Sequence, residues 1–131
     1  MNVLDRLREL VAAERSDSSR LEKRLRELFA FLEERQGFEL ARSEPLPDGA
    51  RVAYKNVPAG RAVAVYARAG RGAWAGVGRL DPEGRLRPVT RETIERGEWR
   101  PLAKVDLDRE DESLEDAIAT LAAKVGGPRA A

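Results

Sequence analysis

The hydrophobic period changes twice along the chain. From residue 2 to residue 36, Leu4, Leu7, Val11, Leu21, Leu25, Leu28 and Leu32 recur at steps of three and four, the spacing of one helix face. Carried across the gap after Val11, that spacing falls on Glu14 and Ser18, so one continuous helix would have a seam with two polar positions. Ser16-Asp17-Ser18-Ser19 suits a break better, because these side chains compete with the helix for backbone hydrogen bonds. Ser19 followed by Glu22 has the spacing of a capping box. The pattern predicts two helices, 2–15 and 19–36. Gly37 would end the second, with Phe38 packing back on it.

After residue 37 the period falls to two. Strands are predicted over 38–43, 51–57, 61–68, 73–80, 85–90 and 99–107, a meander of five or six. Within 61–68, Val63 and Val65 share one face and Tyr66 takes the other. The prolines of Glu44-Pro45-Leu46-Pro47-Asp48-Gly49 deny backbone donors and predict a turn. Asp81-Pro82-Glu83-Gly84 fits a type I turn. Residues 91–96 can form one helical turn ended by Gly97, and Pro101 suggests an edge strand or a bulge. Leu114, Ile118, Leu121 and Val125 then return to helical spacing. Ser113 caps that helix with Asp116, and Gly126-Gly127-Pro128 stops it. The fold class read from this order is α+β in one domain: a helical segment 1–36, an antiparallel sheet over 37–107, and a C-terminal helix over 111–126. Helices are expected to cover one face of the sheet.

Composition restricts the chemistry. The chain has 131 residues, no His and no Cys. Ser-His-Asp and Cys-His catalysis, disulfides, and thiolate or imidazole metal sites are excluded. Hydrophobic residues make up 42 %, but 20 of them are Ala, and Leu, Ile, Val and Phe number only 30. The core is therefore thin and open to help from a partner surface. No stretch approaches the ~18 apolar residues of a membrane span. The start of the chain is charged, without the apolar core of a signal peptide. The expected setting is a bacterial cytoplasm. Arg outnumbers Lys 20 to 4, as a GC-rich genome would give. Absent Cys, abundant charge and turn prolines also fit a thermophile, and the two explanations are compatible.

The net charge of +1 conceals an uneven distribution. Residues 1–36 are balanced, 37–105 hold 13 basic against 8 acidic residues, and 106–131 hold 3 against 7. Residues 49–80 contain no acid at all, but hold Arg51, Lys55, Arg61, Arg68, Arg71 and Arg79, with Tyr54, Tyr66 and Trp74 among them. Arg gives bidentate phosphate contacts and stacks on bases, and aromatics on a basic sheet hold unpaired bases. The candidate site for an anionic ligand, nucleic acid above all, is therefore Arg51, Lys55, Arg68, Arg71 and Arg79 on phosphate, with Trp74 or Tyr66 stacking. The plainer alternative is a solvated sheet face with its aromatics in the core. Gly76 and Gly78 beside Trp74 admit two readings, a groove floor or close packing by the chain itself. Gly70-Arg71-Gly72 can offer backbone N–H groups to phosphate but lacks the helix of a P-loop.

Asp106, Asp108, Glu110, Asp111 and Glu112 form an acidic run. It fails the EF-hand pattern, with Asp111 where Gly is required, and reads as the approach to a helix N-terminus. Pro47-Asp48 with Lys55 lacks the second acid of a nuclease pattern, since position 53 is Ala. No catalytic residue, metal ligand or cofactor is assigned, and an enzyme is not expected.

Arg42-Ser43-Glu44-Pro45, Val63-Ala64-Val65-Tyr66, Ala75-Gly76-Val77-Gly78-Arg79 and Trp99 leading to Val105-Asp106 follow one another over residues 39–107. In that order they resemble the landmarks of PUA-like domains of the EVE type. The resemblance implies a small β-barrel that grips a nucleic-acid base in an aromatic pocket. A rival expectation rests on the first helix: Leu4, Leu7 and Val11 would form the interface of a homodimer or dock on a protein partner through residues 2–15.

Overall fold

The computed structural model describes residues 18–107 and 113–126. Helical residues 18–28 (α1) lead into α2, Phe31–Arg35. Four strands follow: β1 Glu39–Leu46, β2 Gly49–Asn56, β3 Arg61–Arg68 and β4 Gly72–Arg79. The chain then forms α3, Arg91–Glu95, β5, Trp99–Asp106, and α4, Leu114–Val125. The strands pair in sequence order, all antiparallel. The α+β class and the antiparallel meander are as the periods predict, with five strands rather than six. The sheet is open, ending at β1 and β5, where the EVE-type resemblance implied a small barrel.

One face of the sheet carries the main core. Val52, Tyr54, Val63 and Val65 meet Leu25 and Phe29 of the first helical segment and Ile118 and Leu121 of α4. Ser113 caps α4 by accepting the N–H of Asp116 at 3.4 Å, and Gly126 ends it at φ 111°. Gly37, at φ 75°, ends α2, and Phe38 packs against the core as expected. The helix predicted over 19–36 is instead interrupted by a turn at Phe29-Ala30. A continuous helix advances about 100° per residue, so Phe29 and Phe31 would point apart. The turn lets Phe29, Phe31 and Leu32 all be buried together. The capping box expected at Ser19 and Glu22 does not form, because Ser18 and Ser19 are already helical. Tertiary bonds take these groups: Ser18 Oγ donates to the Leu46 carbonyl (2.7 Å) and Ser43 Oγ donates to Glu22 (2.5 Å). Helix 2–15, its interface residues Leu4, Leu7 and Val11, and acidic residues 108–112 lie outside the described residues.

Two further expectations fail at the sheet. β1 runs through Pro45 to Leu46, where a turn was expected. As an edge strand it can place a proline where no ladder donor is required. Residues 85–90 form no strand, since β4 is already paired with β3 and β5. Pro101 is both at an edge and at a bulge. β5 slips by one residue between Ala75 and Gly76 of β4, leaving Leu102 unpaired and exposed.

The second face is not bare. The connection from β4 to β5 folds back across it, and Leu86, Val89 and Ile94 pack on Tyr66, Trp74, Ala62, Ala64 and the buried Trp99. The Trp99 indole donates to the Pro88 carbonyl at 3.1 Å. Asp81 starts this connection as an Asx turn, accepting the N–H groups of Arg85 (2.8 Å) and Glu83 (2.9 Å). Those donors, Arg85 first, hold its carboxyl below the usual range. Thr90 and Thr93 cap α3 reciprocally. Both faces of the sheet are thus covered, one by helices and the other in part by an irregular segment.

Candidate nucleic-acid interface

Strand register brings the candidate site together. Glu44, Arg51, Tyr66, Trp74 and Lys104 are successive cross-strand neighbours from β1 to β5. They form a row on the second face, opposite the main core. The next row holds Arg68 between Gly49 and Gly72, with Asp106 beyond. Tyr66 and Trp74 sit with ring centroids 6.2 Å apart and tilted by 59°. The Arg68 guanidinium lies 5.9 Å from the Tyr66 centroid, within cation–π range.

Two hollows flank this row. The larger, about 640 Å³, lies between Trp74, Tyr66, Arg68 and Arg71 on one side and α3 on the other. Arg91, Glu95 and Lys104 also reach it. The smaller, about 300 Å³, is lined by Arg42, Arg51, Arg87 and Trp99. Tyr66, Val89 and Thr90 form a wall common to both. The larger falls within the usual size of small-ligand sites.

The glycines of β4 explain how the indoles fit. A Cβ on Gly76 would overlap the six-membered ring of Trp74. A Cβ on Gly78 would lie 2.8 Å from the ring of Trp99 and 2.8 Å from the Glu98 carbonyl. Close packing, not an open groove floor, accounts for both glycines. Gly76→Ala is expected to lift Trp74 from its notch, shifting tryptophan emission to the red and costing about 1–2 kcal/mol. An unchanged emission spectrum would place the indole elsewhere.

Of the sequence candidates, Arg51, Arg68, Arg71, Tyr66 and Trp74 line the two hollows. Lys55 alternates onto the same face as Arg51 but lines neither hollow, and nor do Arg61 and Arg79. Those two are cross-strand neighbours on positions alternating with the site-facing ones. Tyr54 is fully buried in the helix-side core.

The acid-free stretch is not acid-free in space. Arg51 is bonded to Glu44, Arg68 lies 3.3 Å from Asp48, Arg91 3.1 Å from Glu95, and Lys104 3.5 Å from Asp106. Arg51 also donates to Tyr66 Oη at 3.4 Å. Burial opposes the Arg51 charge, but the Tyr66 and Glu44 hydrogen bonds outweigh it, so the guanidinium holds its proton more firmly than usual. Arg71 is exposed and has no ion-pair partner among the described residues. Its own N–H is spent on the Arg68 carbonyl (3.1 Å), so its contribution is the side chain and not a backbone nest. Arg42, Arg87, Arg91, Thr90 and Lys104 were missed in sequence. Lys104 becomes visible only through the bulged β4–β5 register.

Among the described residues, no group of three or more carboxylates is placed to hold a metal ion. No described helix is long and apolar enough to cross a membrane. The class defined by these observations is an open five-stranded α+β meander with an aromatic and arginine-lined hollow on its less covered face. No known protein family, curated protein or solved structure matches the chain.

Proposed function

We propose that the protein is a non-enzymatic binding domain for single-stranded nucleic acid, held on the second face of the sheet. The observation that carries this reading is the larger hollow, where a half-buried Trp74 beside Tyr66 is rimmed by Arg68, Arg71, Arg91 and Lys104, which outnumber Glu95 and Asp106 on the same lining. An aromatic wall suits a base of any sequence, and a cationic rim suits the backbone. The exposed aromatic face of the hollow suits stacking by an unpaired base, whose faces are free, over an intact duplex.

The test is anisotropy of a labelled single-stranded oligonucleotide, DNA and RNA in parallel, at low salt. Affinity is expected to fall with salt at about 0.7 log units per phosphate contact for each log unit of salt. Trp74→Ala removes a stacking platform of about 1–3 kcal/mol and should weaken binding roughly 5- to 150-fold. Arg71→Ala should weaken it several-fold and flatten the salt slope by about one contact. No binding of either strand type at low salt removes the reading.

A further inference from the structure

We infer that the smaller hollow is a second, phosphate-binding subsite of the same ligand, with the carboxylate of Glu44, outside the hollow, competing for its Arg51. The inference rests on the reading of the Trp74 hollow as a nucleic-acid site.

Three guanidiniums, those of Arg42, Arg51 and Arg87, line a hollow of only about 300 Å³. It is too small and too cationic to be a second copy of the aromatic site. Arg51 presents both Nε and Nη2 to a single oxygen, Glu44 Oε1, and Arg42 Nε lies 3.8 Å from that oxygen. The two donors of one guanidinium edge thus converge on a single carboxylate oxygen, where a phosphate would offer two. Glu44 does not line the hollow, but it holds the Arg51 guanidinium as a ligand phosphate would, so a phosphate in the hollow must compete with it for Arg51. Opposite, Arg87 is fixed by Glu98 at 3.4 Å.

The two hollows belong to one path. Tyr66, Val89 and Thr90 wall both, and Arg51 joins them by its bond to Tyr66 Oη. Arg51 and Trp74 stand two strands apart in the row, about 10 Å at the usual strand spacing. A base on Trp74 can therefore direct its own or a neighbouring phosphate towards Arg51, Arg42 and Arg87, and a longer strand can fill both hollows.

Removing the negative charge from Glu44 should consequently tighten binding. Glu44→Gln keeps an oxygen acceptor to orient Arg51 and removes only the competition. The experiment titrates the full chain with thymidine monophosphate and with oligothymidylates of about two, four and eight nucleotides, reading tryptophan fluorescence at low salt. Glu83→Gln, in the exposed 81–84 turn beside Arg85, controls for net charge alone. Affinity should rise with probe length until both hollows are filled. Glu44→Gln should tighten the four-nucleotide probe about 3- to 10-fold, beyond any effect of Glu83→Gln. Arg87→Gln should weaken the same probe by a similar factor. If Glu44→Gln and Arg87→Gln leave that probe unchanged while Trp74→Ala, read by anisotropy of a labelled four-nucleotide probe, still weakens its binding, the second subsite is overturned and the aromatic site stands. If the wild type binds none of the probes, both fall together.

Discussion

Trp99→Ala is expected to lower stability by about 3–5 kcal/mol and to abolish ligand binding with it. The indole is 1 % exposed and rests on Gly78, whose missing side chain makes the space. It donates to the Pro88 carbonyl and fills the small core formed by Ala62, Ala64 and Leu80. The alanines and Gly78 cannot close the void that truncation leaves. Stability of a domain this size is about 7–20 kcal/mol in total, so the loss is a large fraction. The loss should also be local in origin. Pro88, Val89 and Thr90 lose their anchor, and with them goes the wall common to both hollows. Trp99→Phe keeps most of the volume and loses the hydrogen bond, so it should cost only about 1–2 kcal/mol. Chemical denaturation of the two variants reads the difference. A cost below about 1 kcal/mol for the alanine variant would mean that the β4–β5 connection is held by something else.

The second large effect lies at alkaline pH. Tyr54 is fully buried, and its hydroxyl has no hydrogen-bond partner among the described residues. Burial pushes its pKa up to about 12, the negative charge of Glu33 adds to the rise, and Arg26 opposes it. The fold therefore favours the neutral phenol. That contribution is complete below the unfolded value of about 10 and is lost as pH climbs through about 12. Two units correspond to about 3 kcal/mol. Unfolding free energy should fall by roughly that amount between pH 10 and 12, in excess of the change shown by Tyr54→Phe over the same range. At neutral pH the phenylalanine variant should match or slightly exceed the wild type, because it removes an unsatisfied hydroxyl. Parallel alkaline dependences for the two proteins would rule out the Tyr54 assignment.

How far these features were legible in the sequence depends on the kind of interaction that fixes each. β3 was read to the residue, and α4 with its caps, because alternation and helical spacing are local properties of the chain. The Asp81 turn was equally local. The break at Phe29-Ala30 was not, since it follows from where the sheet accepts Phe29, Phe31 and Leu32. Pro45 was misread because only the strand order reveals that β1 is an edge. For the site, period two placed Tyr66 opposite Val63 and Val65, but could not say that Trp74 would face it across a hairpin. The basic run was visible, whereas Glu44 and Asp48, which neutralise Arg51 and Arg68, lie just outside it in sequence and directly against it in space. Net charge per segment is a linear quantity, and a sheet folds that line into rows.

Each strand of the sheet pairs only with the strand before it and the strand after it. No connection has to carry the chain from one edge of the sheet to the other, and no parallel pair has to wait for a distant segment. Loop closure is short at the first three hairpins, and only the β4–β5 connection, residues 80–98, is long, so the entropy spent before most new contacts form is small. A topology of this kind is expected to fold quickly for a sheet protein, in successive hairpins that each extend a template already in place. β5 and α4, last in sequence, complete the sheet edge and close the helix side of the core. Assembly can then proceed in the order in which a ribosome releases the chain, with the ligand-binding wall formed only once β5 has docked.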